Sequence, residues 1–386
     1  MSEPTGLDVS VFDALIESGS VEARCQLARE LAQLTCKADT PDAERDCVVP
    51  PILKLAVDPV ADVRRTLASG LAGSDRVHAD IVFSIIADDD EIALPFLAAT
   101  PSLDSWMMIA IIRVGDVSRQ VVIARRTDIA PDVIEAIIAQ GEINACLTLL
   151  DNTSFMPTAD HYRTLYQRFS RENDLVARLM RCDDLPHDIR ILQTKRASNR
   201  AHQLMAERGW FAANDAAELV ADAEEGAIID ILTSTSPKEL PSVMRFLTSK
   251  GMLTPSIVMR AACTGEMEIV EHAIAHLADS SLARVQAVLY GRHGLAFSSL
   301  YKNSGLPQSC QGVIAAAADV QREVLESGRA VAVEEFGRRL VEQIMTDYET
   351  MPSQERARHL DCIGRFAGDR VRIIASRLRD GLVRAA

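Results

Sequence analysis

The chain has 386 residues, of which 48% are apolar, 4% aromatic and 25% charged, a balance that excludes a disordered or membrane-embedded polymer. Its 41 Lys+Arg against 55 Asp+Glu leave a formal net charge of −14. That argues against a general nucleic-acid binder, which needs surplus cations to displace counterions from phosphates.

Residues Met1 to Asp8 carry neither a basic nor an apolar leader segment, and no stretch approaches the ~20 apolar residues of a membrane span. The eight cysteines are scattered, without a C-x-x-C pair and without histidines at metal-finger spacing. We therefore expect a reduced, cytoplasmic protein with no membrane partner.

In residues 21–34, Val21, Cys25, Leu27, Ala28, Leu31 and Leu34 recur at spacings of three and four, the mark of an amphipathic helix. Ile52, Leu55 and Ala56 continue the pattern, followed by Val63, Leu67, Leu71 and Ala72. Asp-Pro at 58–59, Thr-Pro at 100–101, Ala-Pro at 130–131, Met-Pro at 156–157 and Leu-Pro at 185–186 punctuate short helices, because proline suits a first helical turn and disfavours helix in the residue before it. No sustained period-2 run occurs. The expected class is all-α.

The helices also repeat. Asp58-Pro59-Val60-Ala61-Asp62-Val63-Arg64-Arg65-Thr66-Leu67-Ala68 resembles the turn and second helix of a HEAT repeat, with Asp58 and Arg64 at ladder spacing. Weaker second helices are predicted to begin near Glu22, Glu91, Val117, Glu142 and Asp174, closer together than the ~40–47 residues of a regular array. A two-helix unit cannot bury its apolar face alone, so we expect an irregular HEAT-like α-solenoid of stacked helical hairpins. The expected division is a repeat array over 1–205, a helical continuation over 206–310 and a C-terminal helical cap or dimerisation region over 311–386.

The acidic run Asp88-Asp89-Asp90-Glu91 lacks the spacing of a calcium loop and fits a helix N-terminus near Asp90, where acids complement the dipole. Residues 1–100 hold 8 Lys+Arg and 18 Asp+Glu, whereas Arg163 to Arg200 and Arg356 to Arg384 are locally basic. Arg65, Arg119, Arg125, Arg126, Arg178 and Arg181 fall on predicted second helices, where they could line a concave groove and grip a partner's carboxylates or phosphates. The competing reading pairs such arginines, with Arg113, to Asp116, Asp128 and Asp132 as structural ion pairs.

Glu268, His272 and His276 recur every four residues and could share a metal-binding helix face. The apolar positions Ile269, Val270, Ala273, Ile274 and Leu277 turn that stripe outward, and we expect an exposed stripe and no metal. Nucleophile and phosphate-binding motifs are absent, so no catalytic or cofactor residue is assigned. Further on, Val313, Ala316, Ala317, Val320, Val324 and Leu325 line one helix face, and Val331, Val333, Phe336, Leu340, Ile344 and Met345 resume it after Gly328. Such a stripe either folds back as a cap or pairs two copies as a homodimer.

The run Val60 to Leu103, I-A-R-R at 123–126, C-D-D-L-P at 182–186, A-A-C-T-G-E-M at 261–267 and G-L-A-F-S-S-L-Y-K-N-S-G-L-P at 294–307 resemble the bacterial domain-of-unknown-function family 2336, found mainly in alphaproteobacteria. The resemblance spans about residues 20–310, fails at 208–250 and after Gln308, and implies HEAT-like helices in a bacterial cytoplasm, with no activity to carry over. The function expected is a non-enzymatic scaffold or adaptor that binds another protein. The alternative is a HEAT-like nucleic-acid handler or enzyme, similar to helical-repeat DNA glycosylases.

Overall fold

A computed structural model describes residues 9–37, 39–209, 213–291, 294–328, 331–347, 359–360 and 363–366. Among them every regular element is helical, and none of the helices is long and apolar enough to cross a membrane. The chain divides into two compact units, Met1–Leu185 and Pro186–Ala386.

The first unit contains α1 (Val9–Ser18), α2 (Val21–Cys36), α3 (Asp42–Ala56), α4 (Ala61–Leu71), α5 (Ala79–Ile86) and α6 (Asp90–Ala99). It continues with α7 (Ser105–Val114), α8 (Val117–Arg125), α9 (Pro131–Gln140), α10 (Ile143–Asp151), α11 (Ala159–Phe169) and α12 (Asn173–Met180). Five of the even-numbered helices begin within one residue of the five predicted second-helix starts, and α4 begins inside the 58–68 motif. Local chemistry explains that accuracy. Ser20 caps α2 by accepting from the Ala23 N–H at 3.3 Å, and Asp116 caps α8 by accepting from the Arg119 N–H at 3.0 Å. Asp62 lies in the first turn of α4, and Asp90 and Glu91 in that of α6.

Packing alternates. α2 rests on α4, α4 on α6, α6 on α8, α8 on α10 and α10 on α12, while α1 meets α3, α3 meets α5, α7 meets α9 and α9 meets α11. Each short helix thus buries one stripe, such as Val63, Leu67 and Leu71 of α4 or Ile123 and Ala124 of α8.

The second unit opens with two long helices, α13 (His187–Arg208) and α14 (Ala213–Ser234), which pair with each other. Next come α15 (Leu240–Ser249), α16 (Pro255–Thr264), α17 (Met267–Leu277), α18 (Leu282–Leu289), α19 (Leu295–Asn303), α20 (Gln311–Ser327) and α21 (Val333–Asp347). Their apolar side chains form one continuous core centred on α16 and α17. Phe336, Leu340, Val341 and Ile344 of α21 and Val313, Ile314, Ala317 and Val320 of α20 are buried in it. The C-terminal stripe is therefore covered within its own unit, except that Leu325 and Val333 are 60% and 48% exposed, contrary to their predicted place on the buried face.

Gly328 ends α20 in the left-handed conformation, which is where the sequence placed a break. At Gly265 (φ +85) a Cβ would lie 2.9 Å from Cγ of Phe336. That position needs glycine both for its dihedral and for the ring that lies over it.

Candidate functional site

The predicted Asp58–Arg64 pair is offset by one helical pair. Asp58 accepts from Arg24, Nε to Oδ2 at 2.7 Å, and from the Val60 N–H at 2.8 Å. Arg64 donates to the Asp58 backbone carbonyl at 2.8 Å and forks onto Asp88 at 2.7 and 2.9 Å. Asp88 is thus part of the ladder, not a helix-dipole acid. Burial opposes its ionisation, but the hydrogen bonds from Arg64 and from the Asp89 N–H prevail and hold its carboxyl below the ordinary value.

The remaining arginines divide by what they bind. The last carbonyls of a helix lack intrahelical partners, and side chains from later helices supply them here. Arg119 donates to the carbonyls of Ile86 at 2.8 Å and Asp88 at 2.7 Å, and also pairs with Asp90 and Asp116. Arg126, 9% exposed, reaches the Leu97 carbonyl at 2.8 Å and forks onto Asp128. Arg178 reaches the Leu150 carbonyl at 2.6 Å and Asp151 at 2.6 Å. Asn152 does the same for Ala124 and Arg126, at 2.9 and 2.7 Å, and Gln120 for Ile112 at 2.9 Å. Three of the six candidates are therefore structural staples. Asp116 and Asp128 take arginines as the competing reading expects, whereas the Asp132 carboxylate accepts its neighbour's N–H, from Val133.

The other three candidates face outward. Arg65 forms exposed ion pairs with Asp62 at 2.7 Å and Glu91 at 3.2 Å, at the rim of a groove of about 330 Å³ between α4 and α6, floored by Ala68, Ile92, Pro95 and Phe96. Pro95 lies inside α6 and lacks the N–H that would otherwise bind the Glu91 carbonyl. Arg125 on α8 and Arg181 at the C-cap of α12 are exposed, and among the described residues neither side chain forms a hydrogen bond or ion pair. Half-buried Val121, Val122 and Leu147, with exposed Ala98 and Ala177, lie on the same series of even helices.

A second cavity, of about 440 Å³, is lined by both signs of charge: Asp42, Asp46, Arg45 and Arg76, with His78. Arg45 is tied there to Asp42 at 3.0 Å and to the Lys37 carbonyl at 2.7 Å, so the cavity presents no surplus charge for a ligand.

The Glu268, His272 and His276 stripe departs from expectation. His272 is buried, only 6% exposed, while Glu268 is exposed. Helix α17 has neighbours in α15, α16, α18 and α20, and so has no single wet face. Among the described residues no three His, Cys, Asp or Glu side chains gather as a metal site requires. The adjacent Glu271, also 6% exposed, accepts from Gln286 Nε2 at 2.7 Å and from the Tyr290 hydroxyl. Burial, then that hydrogen bond, pushes the Tyr290 hydroxyl well above its ordinary value. This buried polar trio escapes sequence reading because Glu271 sits one position from a histidine and three from a glutamate that mimic a ligand set.

Over residues 92–354 the chain matches a family described as an uncharacterised protein conserved in bacteria, domain-of-unknown-function family 2336. The chain belongs to that family. The family 2336 match begins inside α6 and runs past α21. It includes 208–250 and 308–354, where the sequence shows no familiar motif, and leaves out the ladder motif at 58–68. No curated protein matches the chain. Of the basic stretch Arg356 to Arg384 only 359–360 and 363–366 are described, and Trp210 and Cys362 lie outside the described residues.

Proposed function

We propose that the first unit is an irregular HEAT-like array that binds another protein of the bacterial cytoplasm through the outward faces of its even helices, as a non-enzymatic scaffold or adaptor. One observation carries this reading: Arg125 and Arg181 stand exposed and unengaged among the described residues, whereas Arg119, Arg126 and Arg178 on the same helices are held by carboxylates and carbonyls. The groove beside Arg65 adds apolar walls of the size that admits one or two side chains of a bound segment. A partner segment with carboxylates spaced to meet the two arginines and a small apolar residue for the groove is the fit. The seven described cysteines are free thiols, which supports a reducing compartment.

Because the stapled arginines are held at helix ends, they do not form the cationic groove that the nucleic-acid alternative requires. Affinity purification from the native cytoplasm with the wild type and an Arg125→Glu/Arg181→Glu variant, followed by mass spectrometry, tests the proposal. A protein recovered stoichiometrically by the wild type and lost by the variant supports it. Recovery of nucleic acid, or a partner indifferent to both arginines, overturns it.

A further inference from the structure

The base of the α13–α14 hairpin is anchored in the core of the second unit by Ile191, Ile228, Ile229 and Leu232. Beyond that base, from about residue 195 out along α13 and back along α14 to about 223, Ala216 is the one described residue that is fully buried. The outer half is a two-helix arm whose seam is narrow: Ser198, Ala201 and Met205 of α13 face Ala216 and Val220 of α14 at intermediate or full burial.

Two helices paired antiparallel along such a seam have two broad faces, and the residues on each are set by the 3.6-residue period. Lys195 and Glu224 fall on one face, and their ion pair at 2.7 Å confirms the register. Leu204 and Leu219 both fall on the other, 44% and 49% exposed. Arg200 flanks them on the α13 margin and Asp215 on the α14 margin; both are exposed and, among the described residues, unpaired.

The arm is also electrically divided. Within it, α13 carries four Lys/Arg against one Asp/Glu, while α14 carries three Asp/Glu and no Lys/Arg. Leucines on a solvated face between margins of opposite sign are complementary to themselves. A two-fold axis along the arm lays the basic α13 of one copy over the acidic α14 of the other, whereas an axis across it would set like charge on like.

We infer that this chain self-associates through the leucine face of the α13–α14 arm, α13 of one copy crossing α14 of the other. The 14 residues of α13 and 11 of α14 in the arm, roughly 16 to 21 Å long at about 1.5 Å per residue, give a face at the low end of stable interfaces. The dimer is accordingly weak, forming at micromolar concentration and loosening with salt as the charges are screened. The inference is independent of the partner-binding reading of the first unit.

Sedimentation velocity on the full chain from about 5 to 500 µM tests it. A monomer–dimer equilibrium in the wild type is expected, with Leu204→Glu/Leu219→Glu monomeric throughout at an unchanged circular-dichroism spectrum; both leucines are exposed, so folding survives. Arg200→Glu and Asp215→Arg should each weaken association about tenfold or more, and the two together should restore much of it. A monomer at every concentration overturns the inference. So does a dimer that persists in the leucine variant, which would put the contact elsewhere, or a charge-swap pair that fails to recover.

Discussion

The two units solve the burial of helices differently. In the first, each short helix covers one stripe, and several leave last carbonyls to a side chain from a later helix, as Arg126 does for Leu97 and Arg178 for Leu150. In the second, α16 and α17 are buried on nearly all sides and gather a single core, with the Glu271–Tyr290–Gln286 trio inside it. Both units bury apolar side chains, but in the first polar bonds passed along the stack tie successive helices together, whereas in the second α16 and α17 gather one apolar centre. Stacking leaves one face of each even helix exposed, the face that the proposed function uses, whereas centring leaves only what projects from the core.

The largest expected effect separates the units outright. Val63 is fully buried between even helices, and Val63→Asp puts an unpaired charge there at a cost of several kcal/mol. Thermal unfolding of the wild type should show two transitions, of which this variant loses one and keeps the other. Unchanged melting would show that α4 buries a different face; loss of both transitions would show that the units fold as one.

Next in size is the ladder. Arg64→Ala leaves the nearly buried Asp88 carboxylate without its guanidinium, which should cost roughly 3 kcal/mol, whereas Arg65→Ala, on an exposed pair, should stay within about 0.5 kcal/mol. Acid sharpens the contrast. The folded-state values of Asp88 and Asp128 are lowered, so their contribution is present above the ordinary aspartate value, about 3.9, and lost as pH falls through the lower folded one. In the second unit Glu266 is raised by burial, so protonating it relieves that unit as pH falls, while Glu335, held down to about 2 by Arg338 and Arg339, sits at the solvated surface and adds little in water. The first transition should therefore drop further than the second below about pH 4, and Arg64→Ala should reduce that drop. Equal acid sensitivity in the two units would break the comparison.

How far the sequence reaches also differs between the units. The even-helix starts are legible because Ser20, Asp62, Asp90 and Asp116 act within their own first turn. The ladder's register is not, since Arg64 must choose between Asp58, six residues away, and Asp88 on the next turn, and only the stacking decides. The candidate surface was half legible. Periodicity places all six arginines on or beside even helices, but which of them meet a carbonyl depends on backbone 28 to 33 residues distant. The outward stripe predicted for α17 failed because helical periodicity assumes one wet face, and α17 has neighbours all round.

A smaller effect belongs to the second unit alone. Tyr290→Phe removes one of the two hydrogen bonds to buried Glu271 and should cost about 1–3 kcal/mol, lowering the second transition only. The Tyr290 hydroxyl is raised in the folded state by burial and by Glu271, so its contribution is full below the ordinary value near 10 and is lost as pH rises beyond it. The wild-type second transition should fall above about pH 10 and the phenylalanine variant should fall less. A variant with the wild-type alkaline slope would remove Tyr290 as its cause.

The smallest expected change in stability is the one that bears on function. Arg125→Glu and Arg181→Glu alter exposed side chains that hold nothing among the described residues, so each should shift the first transition by less than about 0.5 kcal/mol. On the proposed reading, charge reversal there acts undiminished on a partner's carboxylates, because no internal bond compensates for it. Arg126→Leu is the matched opposite: it strands the Leu97 carbonyl and frees Asp128, which should cost about 1–3 kcal/mol while leaving the outward charge pattern of α8 and α12 nearly intact. Melting and partner capture measured on all three variants give a crossed result if outward arginines bind and inward ones staple. Arg126→Leu then loses stability and, below its melting point, keeps the partner, while the reversals keep stability and lose it. A destabilised Arg125→Glu would mean that this arginine, too, serves the stack.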